Sequence, residues 1–364
     1  MGMVYSTKAL LQFDENIFTY TSNHATTQLS AFKGRRKKKI NMGGVKRQSS
    51  ARELKWQNFQ AKRSGTVGKK PLPDPTTLKN VFLMLIMHVC RKIVLFETEI
   101  KITIYLAALV CGSLVGDFTP VPRSYFSRKN NLFNYYFVKW GWAWTLISVS
   151  TFLWLTSYVY CCGNKDKIIK HFYRLLIGTA MWFCMTKFFV IIEAYTVGCM
   201  HTKYVTKLSC LSSGSTWKGF DISGHAFLLI YCSLLIAEEG KAIRGWERIG
   251  DLIRNEEFDE ESPLKNLTED ELEHLKENYN KLTPYVRISF IGLTAFILLW
   301  DVMLVATIMY FHSMVQKVVG GVIAILVWYF TYKWWYKQPT SPGLPGQGCF
   351  KYCELPPPKK MCAH

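Results

Sequence analysis

Residues 286–311 read VRISFIGLTAFILLWDVMLVATIMYF, and this run decides the class of fold. A helix needs about 20 mostly apolar residues to cross the hydrocarbon of a bilayer. The run is longer than that, with Arg287 and Asp301 its only charges. Working outward, apolar blocks of the same kind occupy about 101–117, 134–160, 171–197, 222–239 and 317–336, making six candidate spans. None alternates as a barrel strand would, so the expectation is an all-α polytopic membrane bundle of about six transmembrane helices. A seventh run, 81–96, is interrupted by Arg91 and Lys92 and reads as an interfacial or entry helix. The 12 Trp, 19 Tyr and 23 Phe form an aromatic load rare in a soluble chain and suited to two membrane interfaces. Mean hydropathy is only +0.05 because long polar stretches dilute the apolar ones.

Those polar stretches organise the rest of the chain. Of the formal charge of +19, roughly two thirds lies before residue 80, in runs such as Arg35-Arg36-Lys37-Lys38-Lys39. Residues 1–80 have few apolar residues per charge and no sustained period, and are expected to be a disordered arm. Nuclear targeting, RNA binding and attraction to anionic lipid compete as readings of it. The favoured reading is a solvated segment that fixes topology, with no nucleic-acid partner. Gly2 formally fits a myristoylation pattern, and no secretory signal peptide is read. With the arm and Lys165, Lys167 and Lys170 in the cytosol, six spans put both termini there. The insert 240–284 is then cytosolic, its Thr268-Glu269-Asp270-Glu271 capping box opening a charged helix to about Leu282. Its Asn266-Leu267-Thr268 sequon should stay unglycosylated, and the tail from Pro339 should be irregular. The eleven cysteines show no zinc spacing, and neither metal nor cofactor is expected. Cys199 and Cys210 share one polar loop and could form a disulfide in an oxidising lumen.

Counting crossings brings polar groups together without assuming an orientation. Arg128 and Lys129 follow the first span, His225 opens the fourth and His312 closes the fifth. An even number of crossings separates each pair, so all four lie on one face. Two histidines and two cations there could bind a phosphate and cleave its ester. His225 should fall in the first turn of its helix, where unpaired amides and the adjacent Ser223 and Gly224 suit an anion. Within the membrane, Lys187 and Asp301 sit at matched depth, about 15 Å from the ends of their helices. Their opposite signs predict an ion pair between the third and fifth spans.

Several stretches resemble the fat storage-inducing transmembrane (FIT) family: Pro120-Val121-Pro122-Arg123-Ser124-Tyr125, Asn131-Leu132-Phe133-Asn134-Tyr135-Tyr136-Phe137-Val138-Lys139 and Trp142-Ala143-Trp144-Thr145. So do Gly219-Phe220-Asp221-Ile222-Ser223-Gly224-His225, Tyr310-Phe311-His312 and Ser341-Pro342-Gly343-Leu344-Pro345. The resemblance covers most of 100–345 and implies a six-span, lipid-phosphatase-like protein of the endoplasmic reticulum, needed for lipid-droplet formation. It also implies an acyl-CoA diphosphatase, which splits a fatty acyl-CoA into acyl 4′-phosphopantetheine and adenosine 3′,5′-bisphosphate. By that resemblance His312 is the nucleophile, His225 the acid, and Arg128 and Lys129 hold phosphate oxygens. The related phosphatases place an Asp four residues after the nucleophile, where this chain has Gln316, and a Ser-Arg pair where it has Val305 and Ala306. The orienting carboxylate is therefore open, with Glu193 preferred and Asp221 second. Two other readings compete with the enzyme: a non-catalytic binder that partitions diacylglycerol or triacylglycerol, and a scaffold that recruits cytosolic proteins through the arm and insert.

Overall fold

The computed structural model describes residues 78–119, 122, 124–128, 130–199, 206–256 and 262–352. The basic arm, Gly2, Arg123, Lys129 and the end of the tail lie outside the described residues.

The helix α1 (Leu78–Val94) buries Met87, Cys90 and Val94 and leaves Phe82, Leu85 and Val89 exposed. Its apolar outer face suits contact with lipid. The next stretch, Thr98–Phe118, is one rod: α2 (Thr98–Ala107), a π-helical turn (Ala108–Gly112) and α3 (Ser113–Phe118). There follow α4 (Gly141–Tyr160), α5 (Lys165–Thr196), α6 (Lys207–Ser212), α7 (Gly224–Glu239), α8 (Trp246–Arg254), α9 (Glu269–Tyr310) and α10 (Met314–Trp328). A π-helical segment (Tyr329–Trp334) carries the last rod onward. Among the described residues the only sheet is a two-stranded one, β1 (Gly198–Cys199) against β2 (Trp217–Lys218).

Among the described residues four rods are long and apolar enough to cross a membrane: Thr98–Phe118, α5, α9 and the rod from Met314 to Lys337. The other two, α4 and α7, sit among them. At its start α7 meets α10, where the Ser223 amide donates to Gln316 O at 3.1 Å. At its other end Glu238 accepts from Thr98 of α2 at 3.2 Å. Nearly every α7 side chain from Ala226 to Glu239 is buried. This explains why its apolar residues show no preferred face, since a helix enclosed on all sides needs none. Gly320 permits the close approach of α10, because a Cβ there would lie 2.5 Å from Ser223 O.

Two expectations need correction. The charged helix of the insert does not stop near Leu282 but continues through Pro284 into the apolar span as one helix of 42 residues. At 1.5 Å per residue α9 is about 63 Å long, twice the hydrocarbon thickness. An internal proline bends a helix without necessarily ending it. Here Trp246 braces the site, donating to Thr283 Oγ1 at 3.2 Å and accepting at its carbonyl from Tyr279 at 3.3 Å. The second correction is the Lys187–Asp301 pair, which does not form. Lys187 is on the exposed side of α5 with Nζ over the Phe183 ring. Asp301 accepts from Tyr105 Oη at 2.6 Å and Ser233 Oγ at 3.5 Å, and the charge it faces is Lys101. Matched depth and opposite sign do not fix which way a side chain points; the direction each takes around its helix sends Asp301 toward α2 and α7.

At the end away from His225, the tail is irregular but docked. Tyr352 is buried and donates to Ala242 O at 3.1 Å, and the Cys349 amide donates to Tyr160 O at 3.0 Å.

Candidate active site

Ser223 caps α7 by accepting from the Ala226 amide at 3.3 Å, which sets His225 in the first turn. His225 Nε2 lies 3.2 Å from Asn134 Oδ1, in the π-helical segment Phe133–Val138 that precedes α4. With the amide oxygen accepting, Nε2 carries the hydrogen in the neutral ring. His312 stands in the short link between α9 and α10 with φ +56°, a left-handed backbone unusual for a residue with a Cβ. Such a conformation costs on the order of 1–3 kcal/mol and persists where its surroundings enforce it. Here Asp117 enforces it, accepting from the Met314 amide at 2.8 Å and from buried Lys317 at 3.2 Å. Lys317 also donates to Ile308 O at 2.8 Å, closing both sides of the link.

The two histidines share one acidic neighbour. Asp221 Oδ2 is 3.6 Å from His312 Nδ1, and His225 feels the charge of both His312 and Asp221. Gln316 is occupied elsewhere, since its side chain accepts from the Ser313 amide at 3.1 Å in a capping box that starts α10. The position that holds an Asp in the related phosphatases thus builds the helix, and the carboxylate beside His312 is Asp221, before α7. Glu193, preferred from sequence, is exposed on the last turn of α5. Its carbonyl packs against Gly219, where an added Cβ would lie 2.1 Å away. That contact and the bond from the Phe220 amide to Thr196 Oγ1, 2.7 Å, hold the segment bearing Asp221. The same loop is closed by β1–β2 and by a disulfide joining Cys199 to Cys210, with Cα atoms 5.7 Å apart.

The other phosphate ligands expected from sequence divide. Ser223 is fully buried, its hydroxyl oxygen accepting as the cap and its amide given to Gln316, so only the hydroxyl hydrogen is left to give. Gly224 has open space where a side chain would be, and it lines a cavity beside His225. Arg128 is exposed in the loop before Asn131, its carbonyl accepting from Asn131 Nδ2 at 3.0 Å. Sequence reasoning assigned no role to Asn134 or Lys139, although both stand in a motif singled out above. Both line the cavity, of about 460 Å³, that opens next to His225. Among the described residues no cluster of His, Cys, Asp and Glu is arranged to hold a metal.

The fold and site therefore define a multi-pass helical membrane protein with a two-histidine, one-carboxylate centre at one end of its bundle. The sequence family described as "Fat storage-inducing transmembrane protein" matches residues 122–197 and 193–332, and the chain belongs to it. A Drosophila melanogaster protein named acyl-coenzyme A diphosphatase FITM2 is 45% identical over 299 residues, covering 80% of this chain and 71% of the relative. The human protein of the same name is 36% identical over 252 residues, covering 67% and 85% respectively. The Caenorhabditis elegans one is 27% identical over 276 residues, covering 75% and 92%. No solved structure matches the chain.

Proposed function

We propose that this protein is a fatty acyl-CoA diphosphatase. It hydrolyses the diphosphate of the substrate to acyl 4′-phosphopantetheine and adenosine 3′,5′-bisphosphate. The observation that carries the reading is the meeting of His225, His312 and Asp221 at one end of the bundle, contributed by two segments far apart in sequence. In this mechanism Asp221 holds the His312 ring through Nδ1 and leaves Nε2 to attack phosphorus. His225, steadied by Asn134, gives a proton to the departing oxygen and later takes one from the water that frees His312. Arg128 and Lys129 would neutralise phosphate oxygens. The matching names of relatives that cover most of the chain support the same activity.

In this reading the protein resides in the endoplasmic reticulum, with both termini in the cytosol and the histidines at the lumenal face. There it serves lipid-droplet formation and lipid balance. A lumenal position accords with the Cys199–Cys210 disulfide on the histidine face. Partitioning of diacylglycerol or triacylglycerol is the second reading, favoured by the largely apolar cavity beside His225. Purified protein incubated with oleoyl-CoA should release both products, measured by mass spectrometry. Recovery of intact oleoyl-CoA would leave the lipid-binding reading ahead.

A further inference from the structure

The cavity beside His225 has a direction. On α5 the buried positions are His171, Arg174, Leu175 and Gly178, and then no other until Phe189. Near Gly178 the helix is tight against the bundle, where an added Cβ would meet Leu235 at 3.2 Å. Beyond that point a gap opens between α5 and α7, and Trp182, Thr186 and Phe189 line it. Counted back from Thr196, those residues lie about 10 to 21 Å along the helix axis, into the middle of a bilayer of about 30 Å. The deep end is aromatic: Trp182 stacks on Trp142 at 5.6 Å, and Trp142 on Tyr231 at 5.7 Å. Near the surface the lining turns polar, with His225, Asn134 and Lys139. The wall is open to the side, since Thr186 and Tyr135 are exposed on the outer surface of the bundle. The volume falls in the range of ~300–1,000 Å³ found for pockets that bury ligands.

A diphosphate bound at the histidines has two unlike arms. One is an uncharged pantetheine ending in an acyl chain; the other is a nucleoside with a further phosphate. Moving a charged phosphate into an apolar gap at mid-bilayer depth is prohibitive, whereas an acyl chain belongs there. Resting on the activity proposed above, we infer that this cavity takes the acyl-pantetheine arm, so that acyl phosphopantetheine departs beside His225. The nucleophile then attacks the adenosine-bearing phosphorus. His312 bonds to that phosphorus, and the bond from it to the bridging oxygen breaks. The bridging oxygen leaves on the phosphopantetheine phosphate with the proton from His225. Water then attacks the phosphohistidine, returning its proton to His225, and its oxygen ends in the 5′-phosphate of adenosine 3′,5′-bisphosphate.

The test is single-turnover hydrolysis of palmitoyl-CoA in ¹⁸O-water by the full-length protein in detergent or vesicles. The inference expects the heavy oxygen in adenosine 3′,5′-bisphosphate; its appearance in the acyl phosphopantetheine overturns the arrangement while leaving the diphosphatase reading intact. An absence of turnover counts against that reading alone, and a binding arm then decides the inference. Palmitoyl-CoA carrying a diazirine near the chain end should crosslink to the peptide that contains Trp182 to Phe189. Crosslinking confined to other segments would refute the cavity assignment. A third measurement is Thr186→Trp, which narrows the gap from an exposed position. The ratio of kcat/KM for palmitoyl-CoA over octanoyl-CoA should fall about tenfold, the effect of losing ~1.4 kcal/mol of chain burial. An unchanged ratio would also refute it.

Discussion

The two ends of α7 are built on opposite plans. At its start, His225 lines an open cavity with Asn134 at 3.2 Å, and Asp221, 55% exposed, stands 3.6 Å from His312. At its finish, Glu239 is 2% exposed and receives both Arg174 Nε and Nη2 at 2.8 Å and Tyr332 Oη at 2.7 Å. Arg174 in turn donates to His171 Nδ1 at 2.8 Å, and His171 Nε2 meets Gln347 O of the tail at 2.9 Å. One end has polar groups left accessible for a substrate; at the other, Arg174, Glu239, His171 and Tyr332 are engaged with one another or with the tail. A single short helix thus connects a site that must stay reactive to a lock that keeps the rods in register. Accessible polar groups do chemistry and saturated buried ones fix structure.

The contrast can be broken most strongly at the locked end. Arg174→Ala strands the Glu239 carboxylate and should cost about 3–5 kcal/mol, seen as lost expression and a lowered Tm. Replacing the pair together, Arg174→Met with Glu239→Leu, should restore much of that loss; a double variant no better than the single one would show that the lock is not a pair effect. Between the ends, Gly320→Val pushes α10 off Ser223 and should cost roughly 1–3 kcal/mol while also lowering activity, because it moves Gln316 and the His312 link. Loss of stability with unchanged activity would separate that link from the chemistry. A smaller effect is expected at Asp301→Asn, about 1 kcal/mol from weakening the bond to Tyr105. Lys187→Ser should add nothing to it, and a strong non-additive coupling in the double mutant would revive the ion pair. The smallest is no effect at all: Asn266→Gln should leave mobility on a gel unchanged, and a glycosidase-sensitive shift lost on mutation would invert the assigned orientation.

Much of this architecture was legible because bilayer physics writes it in long letters. The run at 286–311 and three of its five companions needed only length and apolarity, and parity over six crossings then put His225 and His312 at one end. The carboxylate was harder, since Glu193 and Asp221 both lie on the right face and crossing number cannot rank them. What ranks them is the path of the loop after β2, held by Gly219 and Thr196, which has no periodic signal. Asn134 was missed because it reaches His225 from 91 residues away and stands in a π-helical segment that hydropathy merges with α4. The Arg174–Glu239 lock left a readable trace, an arginine inside a span and two glutamates at the end of another. Pairing them required knowing which helix faces touch, the same information whose absence misdirected Lys187 toward Asp301.

The central claim, that the open end of α7 carries the chemistry and little of the stability, is tested most directly by His225→Ala and His312→Ala. Each purified variant would be compared with the parent for oleoyl-CoA hydrolysis and thermal unfolding. Loss of activity by at least about a hundredfold is expected for each. The Tm of each should stay within the shift that about 1 kcal/mol produces. Variants that retain most of the hydrolysis, or lose it only in proportion to lost folding, would contradict the account.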